Sequence, residues 1–240
     1  MKKIICNILI FLLLGVIAFC GYKLYSEYLE SKKQNEQFKH TISEINKDKP
    51  KTFFDKYKKL LRKNSDMIGW IKIDGTRINY PVMQSKGDPD FYLKHNFNKE
   101  YSIYGVPYIP KGCNVKKPSD NITICGHNMK DGSMFAGLEK YKDKDFYNSH
   151  SIIKFDTIAG FGKYEVIAVF KTNPYAFQYY QFIDAKGKSE FNGYVRKCKS
   201  LSLYDTGKTA EYGDKLISLS TCEYSGYDNR LVVVARKIVN

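Results

Sequence analysis

The chain has no Cys-x-x-Cys pair and no cysteine–histidine cluster at metal-ligand spacing, which argues against a zinc-stapled fold. No tight acidic cluster stands out, so a calcium site is not indicated, and no metal or cofactor is expected. No internal repeat is present, which excludes a solenoid or a propeller. Acidic side chains are in deficit, 25 against 39 Lys and Arg, and the formal net charge is +14. Such a surplus first suggests nucleic acid. However, the lysines are scattered rather than gathered into a tract, and no zinc-finger, helix-turn-helix or RNA-recognition signature occurs. A diffuse positive surface suits a protein working beside an anionic envelope, and no nucleic-acid partner is expected.

Apolar residues make up 43 % of the 240 residues, enough for a core, and the 20 Tyr and 15 Phe suit strands better than a helical bundle. The six cysteines are Cys6, Cys20, Cys113, Cys125, Cys198 and Cys222. A chain that builds its own core has little need of a disulfide framework. Each isolated cysteine is then by default a small buried hydrophobe.

Lys2 and Lys3 precede an apolar run from Ile4 to Cys20, broken only by Asn7. Extended to Tyr22, it spans roughly 28 Å as a helix, close to the ~30 Å of a bilayer core. Phe19 before Cys20 makes a poor processing site. Residues 1–22 therefore read as an uncleaved single-pass anchor, its basic flank inside and the remainder outside. Residues 23–65 read as a helical stalk and an N-terminal helix, with Pro50 between them and Phe53, Tyr57, Leu60 and Leu61 on the packing face. A partly disordered linker over 23–50 is the other reading.

From residue 66 onward the pattern is that of strands. Gly69 to Val82 reads as a hairpin around Asp74-Gly75. Strands are predicted at Ser102–Ile109, Asn121–Cys125, Ser151–Phe155, Tyr164–Lys171, Lys215–Cys222 and Arg230–Ala235. Pro107 marks an edge or bulge. Phe135–Tyr147 and Lys188–Cys198 have helical spacing. Many short strands with a few helices predict a closed or nearly closed mixed β-barrel over residues 66–240.

One cysteine departs from the default. Cys222 ends an apolar strand, and the next seven residues are polar and turn-like. Arg230 opens the following strand. Antiparallel pairing would set Cys222 and Arg230 face to face, where a guanidinium favours a thiolate and can hold an oxyanion. His127 follows another short strand, and Gly126 before it permits a backbone turn toward a cleft. Cys125 completes that apolar strand and reads as buried. These residues alone leave open an inert cysteine with a surface histidine.

Leu219-Ser220-Thr221-Cys222 followed by Arg230 at the head of a Val-rich strand resembles the sortase signature. So does Ile124-Cys125-Gly126-His127-Asn128 with Asp131-Gly132-Ser133-Met134-Phe135 after it. Asp66-Met67-Ile68-Gly69-Trp70-Ile71 and Phe91-Tyr92-Leu93-Lys94-His95-Asn96-Phe97 resemble class B specifically. The resemblance implies an eight-stranded β-barrel and a cysteine transpeptidase. It implies cleavage of a C-terminal sorting motif after Thr on secreted proteins, with transfer of the acyl group from Cys222 to a peptidoglycan amine. His127 would exchange protons with the leaving and incoming amines, and Arg230 would steady the substrate and its oxyanion. Ser220, Thr221, Glu223, Leu93 and Tyr180 would hold the motif. Ser218 stands where the family has Thr, and the loop from Cys222 to Arg230 is short. A pilin-polymerising sortase, a hydrolytic cysteine peptidase and a non-catalytic wall-binding barrel are the competing readings.

Overall fold

The computed structural model describes residues 2–45, 48–110 and 112–238, with the Lys2 side chain also outside the description. Met1 and Lys2 of the basic flank fall there, as do Asn46, Lys47, Lys111, Val239 and Asn240. The chain divides into two compact units, residues 1–43 and 44–240. The first is a single helix, α1 (Lys2–Ser43). Its apolar segment is exposed all round, from Ile4 at 65 % to Phe19 at 65 %. Such a surface needs an apolar solvent. The helix is long and apolar enough to cross a membrane.

The second unit opens with α2 (Phe53–Lys63), started by a capping box in which Thr52 and Asp55 satisfy each other's backbone N–H. Phe53, Tyr57 and Leu60 are its buried face. Tyr57 stacks on Trp70 with centroids 5.5 Å apart. Its hydroxyl donates to Asp156 at 2.8 Å, beside the Lys56 ammonium at 2.6 Å from the same carboxylate.

Seven strands follow: β1 (Met67–Ile73), β2 (Asn79–Met83), β3 (Asn121–Cys125), β4 (Ile152–Thr157), β5 (Lys163–Thr172), β6 (Leu216–Cys222) and β7 (Arg230–Lys237). They form one sheet in the order β2-β1-β4-β5-β7-β6-β3. Only β3–β6 is parallel. β7 lies between β5 and β6, and Leu231 to Ala235 are all fully buried. That two-sided burial explains its uninterrupted apolar run.

The barrel is therefore seven-stranded and nearly closed, not eight-stranded, and the strand predicted at Ser102–Ile109 does not form. Among the described residues, Tyr108 alone forms β-bridges to both sheet margins, to Met83 of β2 and to Cys125 of β3. Four backbone bonds make this seam: Met83 N to Pro107 O and Ile109 N to Met83 O, both 2.9 Å, and a reciprocal pair between Tyr108 and Cys125 at 2.9 and 2.8 Å. Pro107 and Pro110 bracket it, and neither has an N–H with which to extend a ladder.

The helix predicted at Phe135–Tyr147 is two pieces. A 3₁₀ helix (Phe135–Lys142) precedes α3 (Lys144–Ser149), and Asp143 caps the second by accepting from Asp145 N. The apolar residues Phe135, Leu138 and Tyr141 recur every third position and are all fully buried. A strict period of three matches a 3₁₀ helix, where i and i+3 eclipse. The last helix, α4 (Lys188–Leu201), packs Phe191, Tyr194, Val195 and Cys198 onto β5, β6 and β7 residues in one core.

Candidate active site

The site is built on strand register. Cys222 and Arg230 are the last rung of the β6–β7 ladder, so the facing pair read from the sequence forms. On the other side of β6, Cys125 lies opposite Ser220. Continuing that parallel register by two residues brings His127 level with Cys222. Alternation along a strand then sets Ser218, Ser220 and Cys222 on one face.

His127 lies beyond the end of β3, and four bonds fix the chain there. Gly126 N donates to Ser220 O at 3.1 Å. Thr221 Oγ1 donates to Gly126 O at 2.8 Å, and Asn128 Nδ2 to Cys222 O at 2.9 Å. Phe135 N donates to His127 O at 2.8 Å. The glycine before His127 is required by space rather than by backbone freedom: a Cβ at Gly126 would lie 2.8 Å from the Phe135 ring.

His127 Nε2 is 2.8 Å from Leu93 O. A carbonyl only accepts, so Nε2 carries a hydrogen in this contact, and Nδ1 is the nitrogen left to take up a proton. Leu93 ends a 3₁₀ turn (Phe91–Leu93), and it lines the same cleft as His127, Cys222 and Arg230. The cleft measures about 620 Å³. Its other walls include Asp90, Tyr108, Tyr179, Tyr180 and Asp228. Cys222, His127 and Arg230 are each half-buried there.

Arg230 pairs with Asp228 at 2.7 Å and donates to the carbonyls of Asp228 and Asn229 at 3.1 and 3.2 Å. Asp228 itself takes a left-handed backbone, with φ of 52°. The loop thus curls back on the guanidinium and holds it at the mouth of the hairpin.

Below the rung, hydroxyls are satisfied pairwise. The Ser220 and Tyr179 hydroxyls share a 2.6 Å bond. Ser218 donates to Asn121 Oδ1 at 2.8 Å and lies 3.0 Å from the Tyr194 hydroxyl. This is the buried setting of the Ser that replaces Thr. Desolvation pushes both tyrosine hydroxyls well above their usual range, so they stay neutral.

The other sequence-selected residues divide. Leu93, Tyr180, Ser220 and Thr221 line the cleft. Glu223 is buried and outside the cleft lining, bound to Lys142 at 2.7 Å and Lys171 at 3.3 Å. Burial would raise its pKa, but Lys142, the Ser225 hydroxyl and N–H, and Lys171 outweigh that and hold it down to about 2. Cys125 is half-buried and lines the cleft, where the sequence reading had it sealed. It is the last residue of β3, and the chain leaves the sheet directly after it. Burial, aided by the Asp90 carboxylate, pushes its thiol up to about 12, which leaves it a poor nucleophile.

His95 and His150 serve packing. They stack on Phe91 and Phe146 with centroids 3.9 and 4.3 Å apart. Among the described residues, no group of three His, Cys, Asp or Glu could hold a metal ion.

Sequence reasoning assigned no role to Asn128, Asp90, Tyr108 or Tyr179. The alternating Ser218 and Ser220 within an apolar strand were the one available signal for the buried tyrosine partners. Nothing in sequence distance pointed to Asp90 or Tyr108, which reach the cleft from separate loops.

The family model described as Sortase domain matches residues 71–238. Sortase B of Listeria monocytogenes is 33 % identical, over 99 % of this chain and 98 % of that protein. The crystal structure of sortase B from B. anthracis superposes with a TM-score of 0.77 and 32 % identity, covering 90 % of this chain and 100 % of that one. A Staphylococcus aureus sortase B–substrate complex gives 0.73 and 30 %, covering 88 % and 94 %. The single apolar α1 fits a membrane anchor with the catalytic domain outside the cell. On these grounds the chain belongs to the sortase family, class B, and is a cysteine transpeptidase.

Proposed function

We propose that Cys222 is the nucleophile, His127 its proton partner and Arg230 the fixed cation of a transpeptidase that anchors secreted proteins to peptidoglycan. One observation carries this reading: thiol, imidazole and guanidinium line one cleft, at or just beyond the ends of three adjacent strands of one sheet. The Cys222 sulfur attacks the Thr carbonyl of a C-terminal sorting motif. The C–S bond forms, the C–N bond breaks, and imidazolium gives its proton to the departing amine. Arg230 offsets the charge on the tetrahedral oxygen. A peptidoglycan amine then displaces the sulfur and regenerates the enzyme. Leu93, Tyr180, Ser220 and Thr221 form the walls that seat the motif. Residues 1–22 cross the membrane, 23–65 form the stalk and the N-terminal helix, and 66–240 carry the chemistry.

The test is to incubate the full chain in detergent with a library of sorting-motif peptides and amine acceptors, followed by mass spectrometry. An adduct on Cys222 and a ligated product are expected. Hydrolysis alone in the presence of acceptor would exclude transpeptidation, and an unmodified Cys222 with every peptide would exclude the nucleophile.

A further inference from the structure

The guanidinium of Arg230 is held unevenly. Among the described residues, its protein contacts all fall on one nitrogen. Nη1 lies 2.7 Å from the Asp228 carboxylate and donates to the carbonyls of Asp228 and Asn229 at 3.1 and 3.2 Å. Nη2 and Nε have no bonded partner among those residues. A guanidinium carries five N–H donors in one plane, so pinning Nη1 leaves the other three along one edge. Arg230, Asp228 and Cys222 line the same cleft, and Arg230 faces Cys222 across the last rung.

The residue that does the pinning is itself pinned. On one side of Asp228, Asn173 Nδ2 donates to Tyr227 O at 3.2 Å. On the other, Glu223 N donates to Asn229 O at 2.8 Å. The Asp228 backbone lies in the left-handed region, with φ of 52°. Gly, Asn and Asp adopt that region at small cost, and of these only Asp brings a charge. Gly or Asn would serve the turn equally well. The carboxylate therefore answers a need other than the turn.

That need is not charge. An anion paired with Arg230 screens the very charge that a developing oxyanion would use. What the pairing adds is orientation: a long side chain with several rotatable bonds becomes a fixed fork. We propose that Asp228 is a positioning residue for the reaction, one that anchors Nη1 and so presents the Nη2–Nε edge to the oxygen of the carbonyl that Cys222 attacks. This rests on the roles given above to Cys222 and Arg230. Asp228 touches no reacting atom and acts only through the guanidinium.

The test is acylation of the full chain in detergent by one sorting-motif peptide, followed by mass spectrometry at short times. Asp228→Gly keeps the left-handed turn and loses the carboxylate. Its acylation rate at saturating peptide falls about tenfold, less than the loss from removing an oxyanion donor outright, and KM stays within about twofold. Asp228→Asn keeps both the turn and an acceptor for Nη1, and recovers most of the rate. In an Arg230→Ala background, Asp228→Gly changes the rate no further. Alkylation of Cys222 by iodoacetamide is not slowed in Asp228→Gly, because the sulfur and the cation are both still in place. A wild-type acylation rate in Asp228→Gly overturns the assignment. So does a further loss in the Arg230→Ala background, or an Asp228→Asn rate as low as that of Asp228→Gly. Slowed alkylation would put the effect on the sulfur and overturn it too. If Arg230→Ala acylates at the wild-type rate, the reading of Arg230 falls and Asp228 falls with it. If Arg230→Ala is slow and Asp228→Gly is not, Asp228 alone loses its role.

Discussion

Two margins of the same sheet are built on different principles. The β2–β1–β4 margin is held by aromatic bulk: Trp70 is 3 % exposed, stacked on Tyr57, and donates to Asn79 Oδ1 at 2.8 Å. The β3–β6–β7 margin buries small polar side chains instead, among them Asn121, Thr123, Ser218, Ser220 and Thr221. Burying a hydroxyl gains little apolar free energy, and leaving it unpaired costs about 1–3 kcal/mol. What the second margin gains is direction. Each bond ties a strand to a neighbouring strand or to a packed side chain, and chemistry at a peptide carbonyl requires such fixed placement. Stability and placement are thus carried by separate parts of one barrel.

That separation can be broken most sharply at Cys222. Cys222→Ala abolishes acyl-enzyme formation, detected by mass spectrometry. The melting temperature stays within about 2 °C, because a half-buried thiol at a strand end contributes little to the fold. The reverse holds for the aromatic margin. Trp70→Ala costs about 3–5 kcal/mol in urea unfolding, the range for emptying a large aromatic site. The fraction that stays folded keeps the wild-type rate of acylation. A large loss of rate per folded molecule would show the two margins to be coupled.

The smallest effect sharpens the comparison through pH. Glu223 has a folded pKa depressed to about 2 from an ordinary 4.5. A depressed carboxylate stabilises the fold above its unfolded pKa, and that contribution disappears as pH falls through the folded one. Glu223→Gln is therefore less stable than wild type at neutral pH, and the gap narrows between pH 4.5 and about 2. Chemical denaturation at stepped pH measures it. A gap independent of pH would mean that the two lysines do not hold the carboxylate.

Much of this was legible in the sequence, for local reasons. Strand ends announce themselves where an apolar run meets a polar turn, which located Cys222, Arg230 and His127. Hairpin register followed from the turn between Cys222 and Arg230. The strand count was not legible, because Ser102–Ile109 has strand composition, yet its bridges are confined to the single residue Tyr108, with prolines on either side. Glu223 sits beside the nucleophile in sequence, but alternation turns it away, and Lys142 and Lys171 come from distant elements. Asp90 and Tyr108 meet across 18 positions, a contact that no local pattern encodes.

The short seam has a mechanical consequence. Every other joint in the barrel is a ladder of several rungs, whereas among the described residues the two margins meet over the short stretch from Pro107 to Ile109. The wall bearing Asp90 and Leu93 stands beside that joint, and the Cys222–Arg230 rung belongs to the firm side. The cleft thus has one wall carried by a full ladder and the other standing beside a short seam, so the sulfur and the arginine backbone owe their placement to the strands alone.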